Sequence, residues 1–239
     1  PGVGDGIGPE PGSGSRTERF LGIRSGDVLA FVGGGGKSTL IHALATRLAK
    51  EGRKVVTTAT RPFLPPPRES PYVVLTEERS FRDLPPNLSE HGAVTVAPER
   101  LPDGTLRGYS PGDLETFAGV GDYLLVEVED SGGESLPPPV AKPRLVPPVT
   151  TVLCAVAGLD ALGPNLDEEA FAASLAEGGG LLRCRPDLER RILFLHKGDR
   201  SKAQAAGARI AVEVGRLCTG GIPTPKVLVT SVRDFLKRI

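Results

Sequence analysis

The fold of this chain is decided by one stretch, residues 27–39, which read DVLAFVGGGGKST. An apolar run comes first, four glycines follow, and a helical pattern continues over residues 40–48. Glycines can adopt positive φ, so the backbone N–H groups of such a loop can turn inward around a phosphate. The N-terminus of the helix adds its own N–H groups and its dipole. A strand, a glycine loop and a helix in this order are typical of a phosphate-binding P-loop.

This motif assigns a role to each of its residues. Lys37 is expected to reach the β- and γ-phosphates, and the Ser38 hydroxyl is expected to ligate Mg²⁺. The usual pattern has a glycine six residues before the lysine, where this chain has Phe31. The alternative is a glycine-rich turn whose lysine is merely solvated. The predicted nucleotide-binding residues of the loop are Gly33, Gly34, Gly35, Gly36, Lys37, Ser38 and Thr39.

Composition limits the classes of protein to consider. The 239 residues suit one α/β domain, and 39% of them are hydrophobic, enough for a sizeable core. The 29 basic and 29 acidic residues balance, so charge gives no reason to expect a nucleic-acid or membrane partner. No apolar run approaches the ~20 residues of a spanning helix. The three cysteines form no C-x-x-C pair, which favours free thiols and a cytoplasmic location.

The chain divides into a tail and one folded unit. Residues 1–16 are rich in Gly, Pro and Ser and predict a disordered tail. Residues 17–239 are expected to form a single P-loop NTPase-like α/β domain. Apolar runs predict strands at residues 27–32, 53–58, 72–75, 93–97, 123–128, 151–157, 192–195 and 227–229, and helical patterns cover residues 166–177 and 201–217. Strands that alternate with helices predict a mostly parallel sheet with helices on both faces.

Two proline-rich stretches interrupt this alternation, at residues 62–71 and 135–148. Prolines deny a sheet its N–H donors, so both stretches predict loops or stiff extended segments. Either could edge an active site or dock a partner. Either could equally be a rigid surface connection.

Strand ends supply further candidate site residues. The run 123–128 resembles a Walker B strand, which lies beside the P-loop strand and brings a carboxylate to Mg²⁺. Alternation places Glu127 and Glu129 on one side, where either could hold the metal or orient a water molecule. Thr58, near the end of the strand at residues 53–58, is a further candidate metal ligand. The alternatives are acids that simply end a strand and the β-propensity of threonine.

Residues 196–199, His-Lys-Gly-Asp, follow the strand at 192–195. Their position resembles the Asn-Lys-x-Asp element of guanine-specific P-loop proteins. In that element the aspartate accepts hydrogen bonds from the guanine ring, and the lysine packs on the base. Lys197 and Asp199 are therefore predicted to contact the nucleotide, although ATP and GTP both remain possible. A plain strand-end loop is the alternative.

Taken together, the chain resembles the YqeC-type family. The resemblance rests on residues 31–37, 57–61, 122–127, 156–163 and 196–199, of which VAGLDALG at 156–163 is the most specific match. The chain departs from the family after Glu127, where Val128-Glu129-Asp130 replaces Ala-Asp-Gly, and in residues 136–139, where a lysine is missing.

The family consists of accessory proteins of selenium-dependent molybdenum hydroxylases. The resemblance therefore implies a slow, Mg²⁺-dependent purine nucleoside triphosphatase whose partner is a molybdenum enzyme. A small-molecule kinase that transfers the γ-phosphoryl group is the alternative. A nucleotide-binding protein without catalysis is a third possibility. In each catalytic case Lys37, Glu127 and Glu129 are the predicted catalytic residues, and Ser38, Thr58 and Glu127 are the predicted metal ligands.

Overall fold

The first predicted strand lies inside the sheet, with neighbours on both edges. A computed structural model describes residues 14–67, 72–76, 84–128, 134–136, 146–163, 165–178, 180–197, 201–219 and 222–239. Within these residues the strands are β1 Asp27–Gly33, β2 Val55–Ala59, β3 Tyr72–Leu75, β4 Ala93–Ala97, β5 Tyr123–Glu127, β6 Val152–Gly158, β7 Arg190–His196 and β8 Lys226–Val229. They form one sheet in the order β3-β4-β2-β5-β1-β6-β7-β8, and every pairing is parallel.

Helices cover both faces of the sheet. They are α1 Arg16–Leu21, α2 Lys37–Lys50, α3 Leu84–His91, α4 Glu168–Ala176, α5 Ser201–Leu217 and α6 Val232–Arg238. On one face, Phe31 of β1 shares a buried cluster with residues of α1, α2 and α6. On the other face, Val32 shares a cluster with residues of α3, α4 and α5. The apolar strands are thus buried on both sides, as in other parallel sheets.

The predicted fold class is confirmed. Each predicted strand is present to within three residues at either end, and the helix predicted at 201–217 has those bounds. Helices α1, α3 and α6 were not predicted. α3 begins Leu84-Pro85-Pro86, and prolines in a first turn cost a helix little because its N–H groups there have no partner. α1 and α6 have only six and seven residues, too few to show a helical period.

Two expectations from composition concern the cysteines and membranes. Cys154, Cys184 and Cys218 are all free thiols, as predicted. Among the described residues, no helix is both long enough and apolar enough to cross a membrane. The predicted tail lies mostly outside the described residues, which begin at Gly14.

Glu18 joins α1 to the sheet. It closes a capping box with Ser15 and is only 5% exposed. Its carboxylate accepts hydrogen bonds from the Tyr123 hydroxyl at 2.5 Å and from Arg53 at 2.8 Å. Burial raises the pKa of Glu18, but the hydrogen bonds from Tyr123, Ser15 and Arg53 outweigh burial and hold this pKa below its ordinary value.

We therefore expect Glu18→Gln to lower the free energy of unfolding at pH 7 by about 1–3 kcal/mol, the scale of hydrogen bonds to a charged group. Because the pKa of Glu18 is depressed in the folded state, its carboxylate stabilises the fold above pH 4.5. That stability is lost as the pH falls through the folded pKa, so the variant should approach wild type in acid. Urea unfolding at pH 7 and at a series of values below pH 4.5 measures this. Glu90→Gln, at a side chain 74% exposed, is the control and should change little.

Candidate functional site

The site lies at the carboxyl edge of the sheet. Because all strands are parallel, β1, β5, β6 and β7 end at this edge. β1 pairs with β5 on one side and with β6 on the other. β2 to β5 all lie on one side of β1, and β6 to β8 all lie on the other side. The chain therefore changes direction across the sheet at β1. Ligands of open α/β sheets bind at such a switch point, beyond the carboxyl ends of the strands.

The loop after β1 is shaped by its glycines. Gly33, Gly35 and Gly36 have φ of 103°, 68° and 136°. The Gly34 N–H donates to the Val156 carbonyl at 2.9 Å, which fastens the loop to β6. A Cβ at Gly33 would lie 2.1 Å from that carbonyl oxygen. Phe31, where the usual motif has glycine, lies fully buried inside β1. The turn therefore begins two residues later than in the usual motif.

Lys37 is the first residue of α2 and folds back across the loop. Its Nζ donates to the Gly33 carbonyl at 2.6 Å, and the residue is only 4% exposed. The N-cap residue of α2 is Gly36, which has no side chain to accept hydrogen bonds from the first turn. The N–H groups of that turn are therefore not capped by an N-cap side chain, and anions commonly bind to such N–H groups.

Ser38 and Glu127 meet beside this loop. The Ser38 hydroxyl lies 3.0 Å and 2.8 Å from the two carboxylate oxygens of Glu127. Glu127 ends β5, and it pairs in register with Phe31 of β1 and Ala59 of β2. The structure thus brings together two of the three predicted metal ligands. Ser38 lies in α2, which follows β1, and Glu127 lies at the end of β5.

This pair of residues fits Mg²⁺. Hydroxyl and carboxylate oxygens are hard ligands, and adjacent oxygens around an octahedral Mg²⁺, at about 2.1 Å from the ion, lie about 3 Å apart. The described residues contain no cluster of three or more His, Cys, Asp or Glu that could hold a metal ion. Protein sites for Mg²⁺ commonly supply only one or two ligands and leave the remainder to phosphates and water.

Thr58, the third predicted ligand, lies elsewhere. It pairs in register with Val126, one residue before Glu127, so its side chain points to the opposite face of the sheet. It is 3% exposed, and its hydroxyl donates to the Val96 carbonyl at 2.9 Å. The structure does not bring Thr58 to Ser38 and Glu127. Glu129 lies outside the described residues.

His196 and Lys197 flank the loop on the β7 side. A Cβ at Gly36 would lie 3.0 Å from the His196 ring, so this ring packs on the loop backbone. Lys197 adopts φ of 60°, the one positive φ outside glycine among the described residues. Its Nζ lies 2.5 Å from the Asp160 carboxylate and 2.7 Å from the Ser135 hydroxyl. Asp199 lies outside the described residues.

Asp160 and Ser135 are site residues that the residue patterns did not single out. Burial raises the pKa of Asp160, but the hydrogen bonds from Lys197 and Ser135 outweigh burial and keep this pKa low. Ser135 lies against the glycine loop, since a Cβ at Gly35 would lie 2.9 Å from the Ser135 Cα. The only sequence signal was that Asp160 falls in the segment most similar to the family, residues 156–163.

A cleft of about 840 Å³ opens beside Ser38 and Glu127. One wall is a stripe of α2 at four-residue spacing, formed by Ser38, His42, Thr46 and Lys50. The lining also includes Arg61 and most of residues 62–67, the described part of the first proline-rich stretch, together with Leu236 of α6. We call this feature the α2 cleft. It places the proline-rich segment at the edge of the candidate site, as one of the two interpretations of residues 62–71 expected.

Comparison with known proteins gives a family and a distant structural likeness. The model of the family described as YqeC protein matches residues 29–173, which is more than half of the chain. The fold is similar to that in the crystal structure of the hydrogenase maturation factor HypB from Archaeoglobus fulgidus, with 12% identity and a TM-score of 0.41 over 92% of this chain and 90% of that one. A search of curated proteins finds no match.

The contact between Gly33 and Val156 can be tested by a pair of substitutions. Gly33→Ala should lower the free energy of unfolding by about 3 kcal/mol or more, from about 1–2 kcal/mol of left-handed strain and a similar amount of overpacking. Gly52→Ala is the matched control, because Gly52 has φ of 81° but nothing within 4 Å of its Cβ position. Urea unfolding should show only the strain at Gly52. If the two variants lose the same free energy of unfolding, the close approach of Gly33 to the Val156 carbonyl does not restrict the side chain at this position.

Proposed function

The chain belongs to the YqeC family, and we propose that it binds a purine nucleoside triphosphate with Mg²⁺ and hydrolyses it slowly. In this proposal it acts as an accessory protein in the maturation of a selenium-dependent molybdenum hydroxylase. The observation that carries the nucleotide part is the pairing of Ser38 with Glu127 beside the glycine loop that Lys37 spans. The partner enzyme is inferred from the family resemblance alone.

The proposed phosphate binding is supported by a hydrogen bond in the loop that a phosphate could replace. Lys37 now donates to the Gly33 carbonyl. A phosphate oxygen carries more negative charge than a carbonyl oxygen, so a bound β- or γ-phosphate would be a stronger acceptor for the same Nζ. The N–H groups of the first turn of α2 would supply further donors. In this exchange the Lys37 side chain would turn from the Gly33 carbonyl to the phosphate.

Hydrolysis would depend on Ser38 and Glu127. Mg²⁺ held by Ser38 and Glu127 would supply positive charge that stabilises the phosphoryl group during transfer. Ser38 would supply a hydroxyl ligand, and Glu127 would hold the metal directly or orient the attacking water. Phosphoryl transfer requires mostly positioning and charge stabilisation, so a site with few acidic residues is sufficient for a slow reaction.

A small-molecule kinase is the second candidate, and the α2 cleft favours it. A kinase needs room for an acceptor beside the γ-phosphate, and this cleft begins at Ser38, Thr39 and Glu127. Its volume of about 840 Å³ lies within the ordinary range of small-molecule sites. In that case Glu127 could accept the proton of the acceptor hydroxyl. A hydrolase without an acceptor would not need this space.

We expect Lys37→Ala to abolish hydrolysis, because the charge that stabilises the transferring phosphoryl group is lost. Glu127→Gln should lower turnover by about 10²–10⁴-fold while nucleotide binding survives, as for the loss of an acid–base contact. Phosphate release and calorimetry with Mg-GTP and Mg-ATP measure the two effects separately.

The controls remove the same charges elsewhere. Lys54 is exposed and precedes β2, at the opposite edge of the sheet from the site, and Glu115 is an exposed residue of the 3-10 helix Asp113–Phe117. Lys54→Ala and Glu115→Gln should both behave as wild type. If wild type binds no nucleotide at millimolar concentration, the proposal fails. If Glu129→Gln is slow and Glu127→Gln is not, the catalytic carboxylate lies two residues further on. Turnover in the presence of candidate acceptors distinguishes the kinase from the hydrolase.

We further propose a preference for guanine, since a carboxylate at Asp199 can accept from the N1–H and the exocyclic N2–H of guanine, whereas adenine has no donor at those two positions. Asp199→Ala should then remove the advantage of GTP over ATP in competition binding. Lys197 is already paired with Asp160, so Lys197→Ala should have the smaller effect on base choice. A preference for ATP that survives Asp199→Ala would show that this loop does not select the base.

A further inference from the structure

The α2 cleft has a definite direction. Ser38, His42, Thr46 and Lys50 lie along one face of α2, from its first turn to its last residue. Twelve residues of helix separate Ser38 from Lys50, which is about 18 Å at the usual rise. One end of the cleft therefore meets the candidate metal site, and the other end lies well beyond the reach of a phosphate held by the loop.

Charge in the cleft is mostly positive. Arg47, Lys50 and Arg61 line it, and Glu127 is the one acidic lining residue among those that the structure describes. Arg47 is held by Glu51 at 3.0 Å, and the Glu127 carboxylate accepts from the Ser38 hydroxyl. Among the residues that the structure describes, neither Lys50 nor Arg61 forms an ion pair. The described lining of the cleft thus holds three cations and one carboxylate, and two of the cations have no described acidic partner.

Apolar side chains lie beside these cations. Among the described residues three large hydrophobic side chains are exposed: Leu64 at 73%, Val212 at 66% and Leu236 at 37%. Two of these three, Leu64 and Leu236, line the cleft together with Phe63. Exposed apolar groups that gather in one concavity indicate a ligand surface more than scattered ones do.

His42 adds a polar group in the middle of the stripe. Its Nδ1 is buried from solvent and has no hydrogen-bond partner within the described part of the chain. Burial also lowers the pKa of His42, so the ring is neutral at pH 7 and can donate or accept one hydrogen bond. The neutral imidazole of His42 thus adds a polar group to the lining of the cleft.

We propose that the α2 cleft binds a small organic anion, with an acidic group at Lys50 or Arg61 and an apolar body against Phe63, Leu64 and Leu236. The volume of the cleft suits a small molecule rather than a protein segment. This site does not depend on the proposed nucleotide binding, although it ends at Ser38 and Glu127. If a nucleotide does bind there, the anion is the molecule nearest to the γ-phosphate.

The probe is 1-anilinonaphthalene-8-sulfonate, an aromatic anion. Its uncharged relative N-phenyl-1-naphthylamine is measured beside it to separate the effect of charge from that of apolar contact. The sulfonate should bind with saturable, one-to-one fluorescence enhancement. Lys50→Gln and Arg61→Gln should each weaken it about twofold to fivefold, the range for a solvent-accessible charge pair, and the double variant by about the product. Binding of the uncharged dye should be unaffected by these changes.

Two matched controls lie on α5, across the sheet. Arg216→Gln, at a side chain 76% exposed, should leave sulfonate binding unchanged. Leu64→Ser should weaken both dyes, whereas Val212→Ser should weaken neither. The proposal is overturned if the double variant binds the sulfonate as well as Arg216→Gln does, if Val212→Ser weakens it as much as Leu64→Ser does, or if wild type binds neither dye.

Nucleotide binding is measured on the same samples, so the two proposals fail separately. Lys37→Ala should lose Mg-nucleotide and keep the sulfonate. Lys50→Gln and Leu64→Ser should lose affinity for the sulfonate and keep Mg-nucleotide. A urea unfolding curve for each variant confirms that dye fluorescence reports the folded protein. This check matters most for Lys37→Ala, because Lys37 is only 4% exposed, whereas Lys50, Arg61 and Leu64 are exposed.

Discussion

The site depends on how closely the loop after β1 approaches β6. Gly33 takes a conformation that side chains avoid, and its Cβ position is filled by the Val156 carbonyl oxygen. The neighbouring Gly34 N–H then bonds to that same oxygen. This contact ends β1 and turns the chain so that α2 starts over the sheet edge. Lys37, Ser38 and the first N–H groups of α2 take their places from that turn.

The surroundings of the loop are unlike on its two sides. Toward β7 the His196 ring fills the space over Gly35 and Gly36, and Ser135 closes it further. Toward β2 the α2 cleft opens directly from Ser38 and Glu127. A ligand beside Ser38 and Glu127 therefore has room, whereas a group entering over the glycines must pass His196. The fold thus separates a crowded side from an open side around the glycine loop.

Most of the fold could be predicted from the sequence, because a strand buried on both faces must be apolar throughout and a parallel sheet must alternate strands with helices. The same rules account for the position of Glu127, since the carboxyl end of a strand that pairs with β1 lies beside the loop after β1. Thr58 shows the limit. Thr58 lies near the carboxyl end of β2, as predicted, but it pairs with Val126 and so points to the opposite face of the sheet from Glu127. The register of two strands cannot be read from a single sequence. The partners of Lys197 are also beyond sequence reasoning, because Asp160 and Ser135 lie 37 and 62 residues away.

The contacts of Lys197 show how this residue keeps a strained backbone conformation at the end of β7. Lys197 holds a left-handed conformation that costs a non-glycine residue about 1–2 kcal/mol. The ion pair with Asp160 and the hydrogen bond to Ser135 offset that strain. Ser135 in turn accepts the Gly158 N–H through its carbonyl and lies against Gly35. The ends of β6 and β7 are thereby tied to the glycine loop through Ser135.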